Sequence, residues 1–548
     1  MILFHVALIA VLSTALYAGL IYNTHFLTSV PTSGGTFVEG IVGTPRFVNP
    51  VLAITRADHD MAALTYSGLM KIDKDGNLIN DIAEKIEISE DGRTYHITLK
   101  QDVTFHDGSG LTAKDISYTV ALIQNPDLKS PLRGNWEGVL TEELGDFEMN
   151  IVLKEAYSPF IENFTVGILP RAIWGELPIE QLPFSQHNTE PIGSGPYKIS
   201  DVLRNKSGLI NAYKLEAFSA SNQNPNIETI VFNFYQNEEA LLEALNKEEI
   251  AGTPSFTSAQ LAQVDTNMYN IVESPLPRTF AIYFNQNKSI ALRDIAARKA
   301  LAAAIDRDDL INTVLGGFGI PTRTPVPSGF VPVESASSSA TEVTMRPETI
   351  LVEGGWQKNS DGKWEKDIND ETTILSFTVT TSNTELFDNI TIYIAEQWRE
   401  LGVEVNVDQF EQADLVQGII RPRDFQALLF GADIGRSIDL YPFWHSSQKD
   451  DPGLNIAQYT NIAADALLED IRTESSVEER NEAIYQFEEI IADDVPAIFL
   501  FVPTFGYVID KDVSVAPISR LSKPSERFAN IASWHILSNN LWPVFSNE

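Results

Sequence analysis

His106-Asp107 is the pair that hydrolytic chemistry would use first, a base beside an orienting acid as in a nucleophilic triad. The same residues sit in Phe105-His106-Asp107-Gly108, which also reads as a turn at a strand end. Gly193-Ser194-Gly195 offers a serine between glycines, but it runs into Pro196 and lacks the strand-then-helix setting of a nucleophile elbow. None of the eight histidines (His5, His25, His59, His96, His106, His187, His445, His535) forms the His-Glu-x-x-His pair of a zinc peptidase. No Gly-x-x-x-x-Gly-Lys loop is present, so the chain supplies no ATP hydrolysis of its own. With 75 acidic residues, two acids close in sequence carry no information about glycosidase chemistry. The absence of cysteine excludes disulfides, thiolate nucleophiles, Fe–S clusters, cysteine zinc sites and lipid attachment through cysteine. No cofactor, no metal and no catalysis are expected.

The elements around His106 are legible. Ala83 to Lys100 reads as two strands joined at Glu90-Asp91-Gly92, where glycine supplies positive φ at no steric cost. Tyr95, Ile97 and Leu99 alternate with Thr94, His96, Thr98 and Lys100, the period of a half-buried strand. Leu111 to Ile116 opens a helix. Thr36–Val42, Thr279–Asn285 and Val403–Val407 read as strands; Met61–Met70, Ile290–Asp306 and Ile390–Leu401 read as helices. Ser335–Thr341 is a low-complexity loop. Helices alternating with short strands argue for α/β layers.

Composition narrows the class further. A chain of 548 residues, 43% hydrophobic and 21% charged, is globular and long enough for several ordinary domains. Its net charge of -36 excludes binding to nucleic acid by phosphate neutralisation. The acidity serves solubility, or attracts cationic solutes if it lines a cleft. Residues 1–22 carry no formally charged side chain, enough apolar length for a membrane helix. No Lys or Arg precedes the run, and its small-x-small sites are poor, which favours an uncleaved anchor over a removed signal peptide. Both readings place residues 34 onward on the extracytoplasmic side.

The hairpin and turn of 83–108, the helix opening at Leu111, and Glu190-Pro-Ile-Gly-Ser-Gly-Pro-Tyr-Lys-Ile199 resemble, in order, the family 5 extracellular solute-binding proteins, the peptide receptors of ABC importers. The likeness continues through Thr279–Asp306, Gly354–Trp364, Ile390–Val407 and the tail Tyr459–Leu500, and so covers most of 34–503. It implies a periplasmic-binding-protein-like α/β fold (type II, large peptide-binding class) with two lobes, a hinge and an extra subdomain in the first lobe. The divisions implied are 1–22 anchor or signal, 23–33 spacer, 34–275 first lobe, 277–498 second lobe and 499–548 return to the first. The crossings fall near Val272–Ala281 and Phe499–Phe505. His106-Asp107 becomes a structural turn, and Arg298 a structural helix residue. The partners implied are a peptide and an ABC permease, with nickel chelates, haem, sugars or opines as alternative cargo and a surface hydrolase or chaperone-like holder behind them. A monomer is expected.

The resemblance also implies site residues. Relatives pair an Asp of the second lobe with the ligand's terminal ammonium; the matching stretch here, Leu429–Ser447, carries Asp433 and Asp439, with Ala432 where the family has Trp. Those two aspartates share the candidacy. Arg436 is a candidate for a ligand carboxylate or a surface residue. Tyr441, Trp444 and His445 are either ligand contacts or lobe core. In the first lobe, Arg46, Phe47 and Asn49 lie on the loop that approaches the ligand backbone.

Overall fold

The structure, a computed structural model, describes residues 2–25, 27–221, 223–327, 330, 345–474, 476–516 and 518–541; Ser335–Thr341 lies outside them.

The hairpin forms as its pattern requires. Ala83–Ile88 and Thr94–Leu99 pair antiparallel, with Glu87 opposite His96, and Gly92 takes φ 67° in the turn. Tyr95, Ile97 and Leu99 point inward and are buried. Glu148–Val152 and Leu140–Gly145 complete a separate four-stranded sheet. The helix Ala113–Gln124 packs its Ile116, Val120 and Ile123 into the same core as that sheet. Burying each such aliphatic or aromatic side chain contributes about 1.5–3 kcal/mol.

A second sheet runs through the whole molecule, and one strand makes it continuous. Ala497–Asp510 pairs in its first half with Arg278–Phe284 (Tyr283 opposite Ala497) and in its second with Tyr269–Pro275 (Tyr269 opposite Asp510). Leu276 and Pro277 join those two partners, and the Leu276 N–H meets the Pro503 carbonyl at 3.2 Å. The chain thus crosses from one half to the other along two adjacent paths. On one side lie Ala427–Asp433, Ser376–Ser382 and Glu404–Phe410, with parallel pairs that the helix Glu385–Leu401 connects. On the other lie Thr36–Val42, Thr229–Tyr235, Ile210–Ala217 and Tyr197–Arg204. Each half has its own apolar layers. Phe280, Ile282 and Phe284 face one core of the second half, whereas Ala281 and Tyr283 face another across the sheet. The result is a two-lobed α/β fold.

Several elements differ from the sequence reading. The helix expected at Met61–Met70 runs Arg56–Thr65, because Thr55 and Asp58 form a capping box that fixes its start and Tyr66 is extended. The alanine-rich segment expected as one helix over Ile290–Asp306 is a 3-10 turn at Ala291–Arg293 and then a helix at Ile295–Ala303 capped by Asp294, while Asp306 caps a separate helix, Arg307–Val314. Part of the expected spacer is ordered: Thr28–Thr32 is a strand paired with Leu537–Leu541. Ile2–His25 is helical, with Phe4, Val6, Ile9, Val11, Leu16 and Tyr17 exposed. Among the described residues no helix is long and apolar enough to cross a membrane. Arg298 is buried and donates to the carbonyls of Leu292, Arg293, Asp494 and Val495.

His106 has a structural task. Its ring nitrogens meet the Gly195 carbonyl at 3.1 Å and the Gly193 N–H at 3.3 Å. Those glycines lie hard against the end of the helix Arg56–Thr65, where a Cβ on Gly193 would stand 1.8 Å from the Thr65 carbonyl oxygen. Burial pulls the His106 pKa down to about 4, against the Gly195 carbonyl, which holds it up. Between that value and the ordinary 6.5 the unfolded chain binds the extra proton, so this group's share of stability rises with pH by roughly 2–3 kcal/mol. Glu488 opposes it, because burial raises its pKa to about 7 and its share is lost as pH climbs from 4.5 to 7. The expected result is therefore a difference: urea unfolding of His106→Asn and of the parent, followed between pH 4 and 6.5, gives curves that diverge as pH rises. Parallel curves would remove His106 from the account.

Candidate functional site

The site is built on the helix Arg56–Thr65 and what pins it. Asp58 Oδ1 accepts the backbone N–H groups of Arg46 (2.7 Å) and Phe47 (2.8 Å), while Oδ2 accepts that of Thr55 (2.9 Å). Residues at i, i+3 and i+4 share a helix face, so Arg56, His59 and Asp60 are presented together. Asp60 is wholly buried and takes a two-pronged bond from Arg527, 2.8 Å on each prong. Arg527 also bonds Glu39, whose other oxygen accepts from the Tyr507 hydroxyl at 2.7 Å. Burial raises the pKa of Glu39, and Arg527 opposes that rise. This network ties the helix to the strand Thr36–Val42, the crossing strand and the C-terminal stretch.

Two cavities adjoin above it. One, of about 370 Å³, is lined by Arg56, His59, Asp60 and Ser522–Ser525 on one side and by Arg278 and Asp433 of the second lobe on the other. The second, of about 330 Å³, is lined by residues including Tyr66, Lys71, Asp81, Trp136, Glu162 and Glu526, with Arg436 from the second lobe. His59, Ser522, Lys523 and Ser525 line both. In the first, Arg278 and Asp433 pair at 3.1 Å and Asp60 is matched by Arg527, which leaves Arg56 and Lys523 as cations for an anionic group. Burial, then Lys523, lowers the pKa of His59, so the ring stays neutral at pH 7. Among the described residues no group of three or more acids or histidines is placed to hold a metal.

Polar bridges cross the cleft. Arg436 donates to the Gly76 carbonyl and pairs with Glu526, both side chains nearly enclosed. Ser437 donates to Glu162. The Tyr157 hydroxyl donates to Asp439 Oδ2 at 2.9 Å, and Arg472 reaches the same oxygen at 3.2 Å. The Arg472 guanidinium lies 4.9 Å from the Tyr157 ring and 4.5 Å from that of Tyr441, an attractive cation–π arrangement.

The residues singled out from sequence therefore separate. Asp433 and Arg436 reach the cavities. Asp439 does not share the candidacy on equal terms, because Tyr157, Arg472 and the Tyr441 N–H already occupy its carboxylate. Trp444 is core: it is 2% exposed and packs among Tyr283, Tyr459, Phe487 and Phe499. His445 stacks on Tyr441 at 4.1 Å and bonds Ser447 through Nδ1. Asn49 is also buried, bonding Asn188 and the Val51 N–H. Arg46 is exposed and lies 4.9 Å over the ring of Phe47, which packs on the first-lobe core. Missed were His59, Asp60, Lys523, Glu162 and Glu526. The shared helix face could have flagged His59 and Asp60; Ser522–Ser525 carries no such signal.

Comparison with known proteins identifies the family and the fold. Residues 77–453 match the model of the bacterial extracellular solute-binding proteins, family 5 Middle. The oligopeptide-binding protein AppA of Bacillus subtilis is 29% identical over 485 residues, covering 86% of this chain and 87% of that one. The solved structure of AppA from Bacillus subtilis in complex with a nonapeptide superposes with a TM-score of 0.65 at 27% identity, covering 93% of this chain and 100% of that one. The substrate-binding protein CtaP of Listeria monocytogenes shares the fold with a TM-score of 0.73 at 24% identity, over 92% of this chain and 99% of that one.

Proposed function

Because the chain belongs to the bacterial extracellular solute-binding proteins of family 5, we propose that it is the peptide receptor of an ABC importer, closing two lobes around its cargo and handing it to the permease. The observation that carries this reading is the pair of adjoining cavities roofed by one lobe and floored by the other, with polar bridges across them. Their volumes fall within the ~300–1,000 Å³ of small-ligand pockets. The similarity to AppA, which is named for oligopeptide binding, supports peptide as the cargo. We read the chain as a receptor and not an enzyme, a reading supported by the match to a family of solute-binding proteins.

The paired crossings at Leu276–Pro277 and Val502–Thr504 support a hinge there, with lobes at 34–275 and 277–501 and the chain from Thr504 returning to the first, because Phe499 and Phe501 still pair with the second-lobe strand. Ligand would select the closed form through contacts to both lobes. Of the two aspartates, Asp433 is the partner for a terminal ammonium, and Arg56 and Lys523 suit a carboxylate. We also read the chain as a single-copy receptor outside the cell; the exposed apolar side chains of the helix Ile2–His25 support attachment at the membrane surface, no described helix being long and apolar enough to cross it.

Small-angle scattering tests the reading: a peptide mixture reduces the radius of gyration of the full chain, and an unchanged radius at saturation sinks the hinge. Within it, Tyr157→Phe removes one bond to a charged group across the cleft. Closure should weaken by about 1–2 kcal/mol, read by calorimetry as weaker peptide binding with unaltered stability. Equal affinity in the two proteins would show that the bridge contributes nothing to closure.

A further inference from the structure

Glu162 lies on the wall of the 330 Å³ cavity, largely enclosed, and its carboxylate accepts a hydrogen bond from Ser437 of the facing lobe. Among the described residues no cation is within ion-pair distance of it. Arg436 acts on it only through space, its guanidinium being taken up by Glu526 and the Gly76 carbonyl. Lys71, on the same wall, is matched to Asp81 at 3.6 Å. A buried carboxylate without a counter-charge is costly, and so are buried hydroxyls without partners. Tyr66 and Ser522 contribute to this wall, and among the described residues each holds a buried hydroxyl with no hydrogen-bond partner. Lys523 also lines this cavity, but among the described residues it makes no ion pair with Glu162, so that carboxylate still lacks a contacting counter-charge. The cavity's apolar lining, which includes Met70 and Trp136, suits a methylene stem.

We infer that this cavity takes a lysine or arginine side chain of the cargo, with Glu162 as its counter-charge. The inference rests on the peptide reading above and adds a preference to it. A norleucine in the same place would fill the volume and leave Glu162 unpaired; a glutamate would add a second unmatched acid.

The test is calorimetric titration of the full chain with alanine-based peptides of graded length, carrying Lys, norleucine or Glu at each position in turn. At one position Lys should bind about 10- to 100-fold more tightly than norleucine, and Glu more weakly than either. In Glu162→Gln, which keeps an oxygen for Ser437, the ratio of Lys to norleucine affinity should fall to about one. Equal affinities for Lys and norleucine at every position in the parent protein would overturn the inference without any variant. So would a Lys advantage that survives Glu162→Gln in a protein whose thermal unfolding matches the parent. If no peptide of the series binds, the peptide reading itself fails, and this inference with it.

Discussion

Arg527→Met lowers the unfolding free energy by about 3–5 kcal/mol, the loss that follows from stripping one partner out of a buried ionic group. Arg527 stands among Asp60, Glu39 and Tyr507, and both carboxylates are 0% exposed. Removing the guanidinium leaves two acids facing each other with no water to reach them. Burial, which already raises the pKa of Glu39, then acts without Arg527 to oppose it, so the folded state keeps a proton that the unfolded chain has lost. The sign follows: the deficit widens as pH rises above the ordinary carboxylate range and narrows in acid. Urea unfolding read by tryptophan fluorescence suits the measurement, since Trp534 packs against Phe37, Tyr507 and Phe528 beside the network. A further change of Glu39→Gln and Asp60→Asn in the same protein should restore part of the loss, because uncharged groups cost less to leave enclosed. A loss below about 0.5 kcal/mol, the scale of an ordinary surface substitution, would mean that the network does not hold the site's floor.

Asp433→Ala weakens peptide binding by about 2–5 kcal/mol if its carboxylate takes the ligand's terminal ammonium on closure. Asp433 pairs with Arg278 at 3.1 Å, and both side chains are about half exposed. The ammonium would join an ion pair that closure then shields, so the interaction strengthens as water leaves. Asp439→Asn lacks this direct loss, because its carboxylate is committed to Tyr157 and Arg472 and acts only through closure. An N-acetylated peptide separates the two effects. Acetylation should cost the parent protein as much as Asp433→Ala does, and should cost the Asp433→Ala variant almost nothing. Equal sensitivity to acetylation in parent and variant would remove Asp433 from the ammonium site.

What could be read from sequence and what could not follows the range of the interactions. The hairpin at 83–99 was legible because alternation and Gly92 are local signals. So was the strand Thr36–Val42, found at those limits. The start of the helix at Arg56 was not, because Thr55 and Asp58 were passed over in favour of the apolar run that follows. The continuous strand Ala497–Asp510 reads in sequence as a tail segment. Only its partners, Tyr269–Pro275 and Arg278–Phe284, reveal that it serves both lobes. At the site, Asp433 and Arg436 stand out through the stretch that resembles the family motif, and both line the cavities. Glu162 meets Ser437 from 275 positions away, and Arg436 meets Glu526 from 90. No periodicity links such positions. Trp444 stays undecided in sequence, since an aromatic cluster reads alike whether it lines a cleft or fills a core, and its burial comes only from the structure.

The central claim is that the cleft holds peptides, and retention tests it most directly. The full chain is incubated with a synthetic peptide library of mixed sequence and length, passed through a desalting column, and weighed by native mass spectrometry. The retained species are then released in acid and sequenced. The account predicts one peptide per chain, of restricted length and varied sequence, as expected when backbone and termini supply most of the affinity. A chain that retains no peptide, or holds only a non-peptide solute that the library cannot displace, would contradict it.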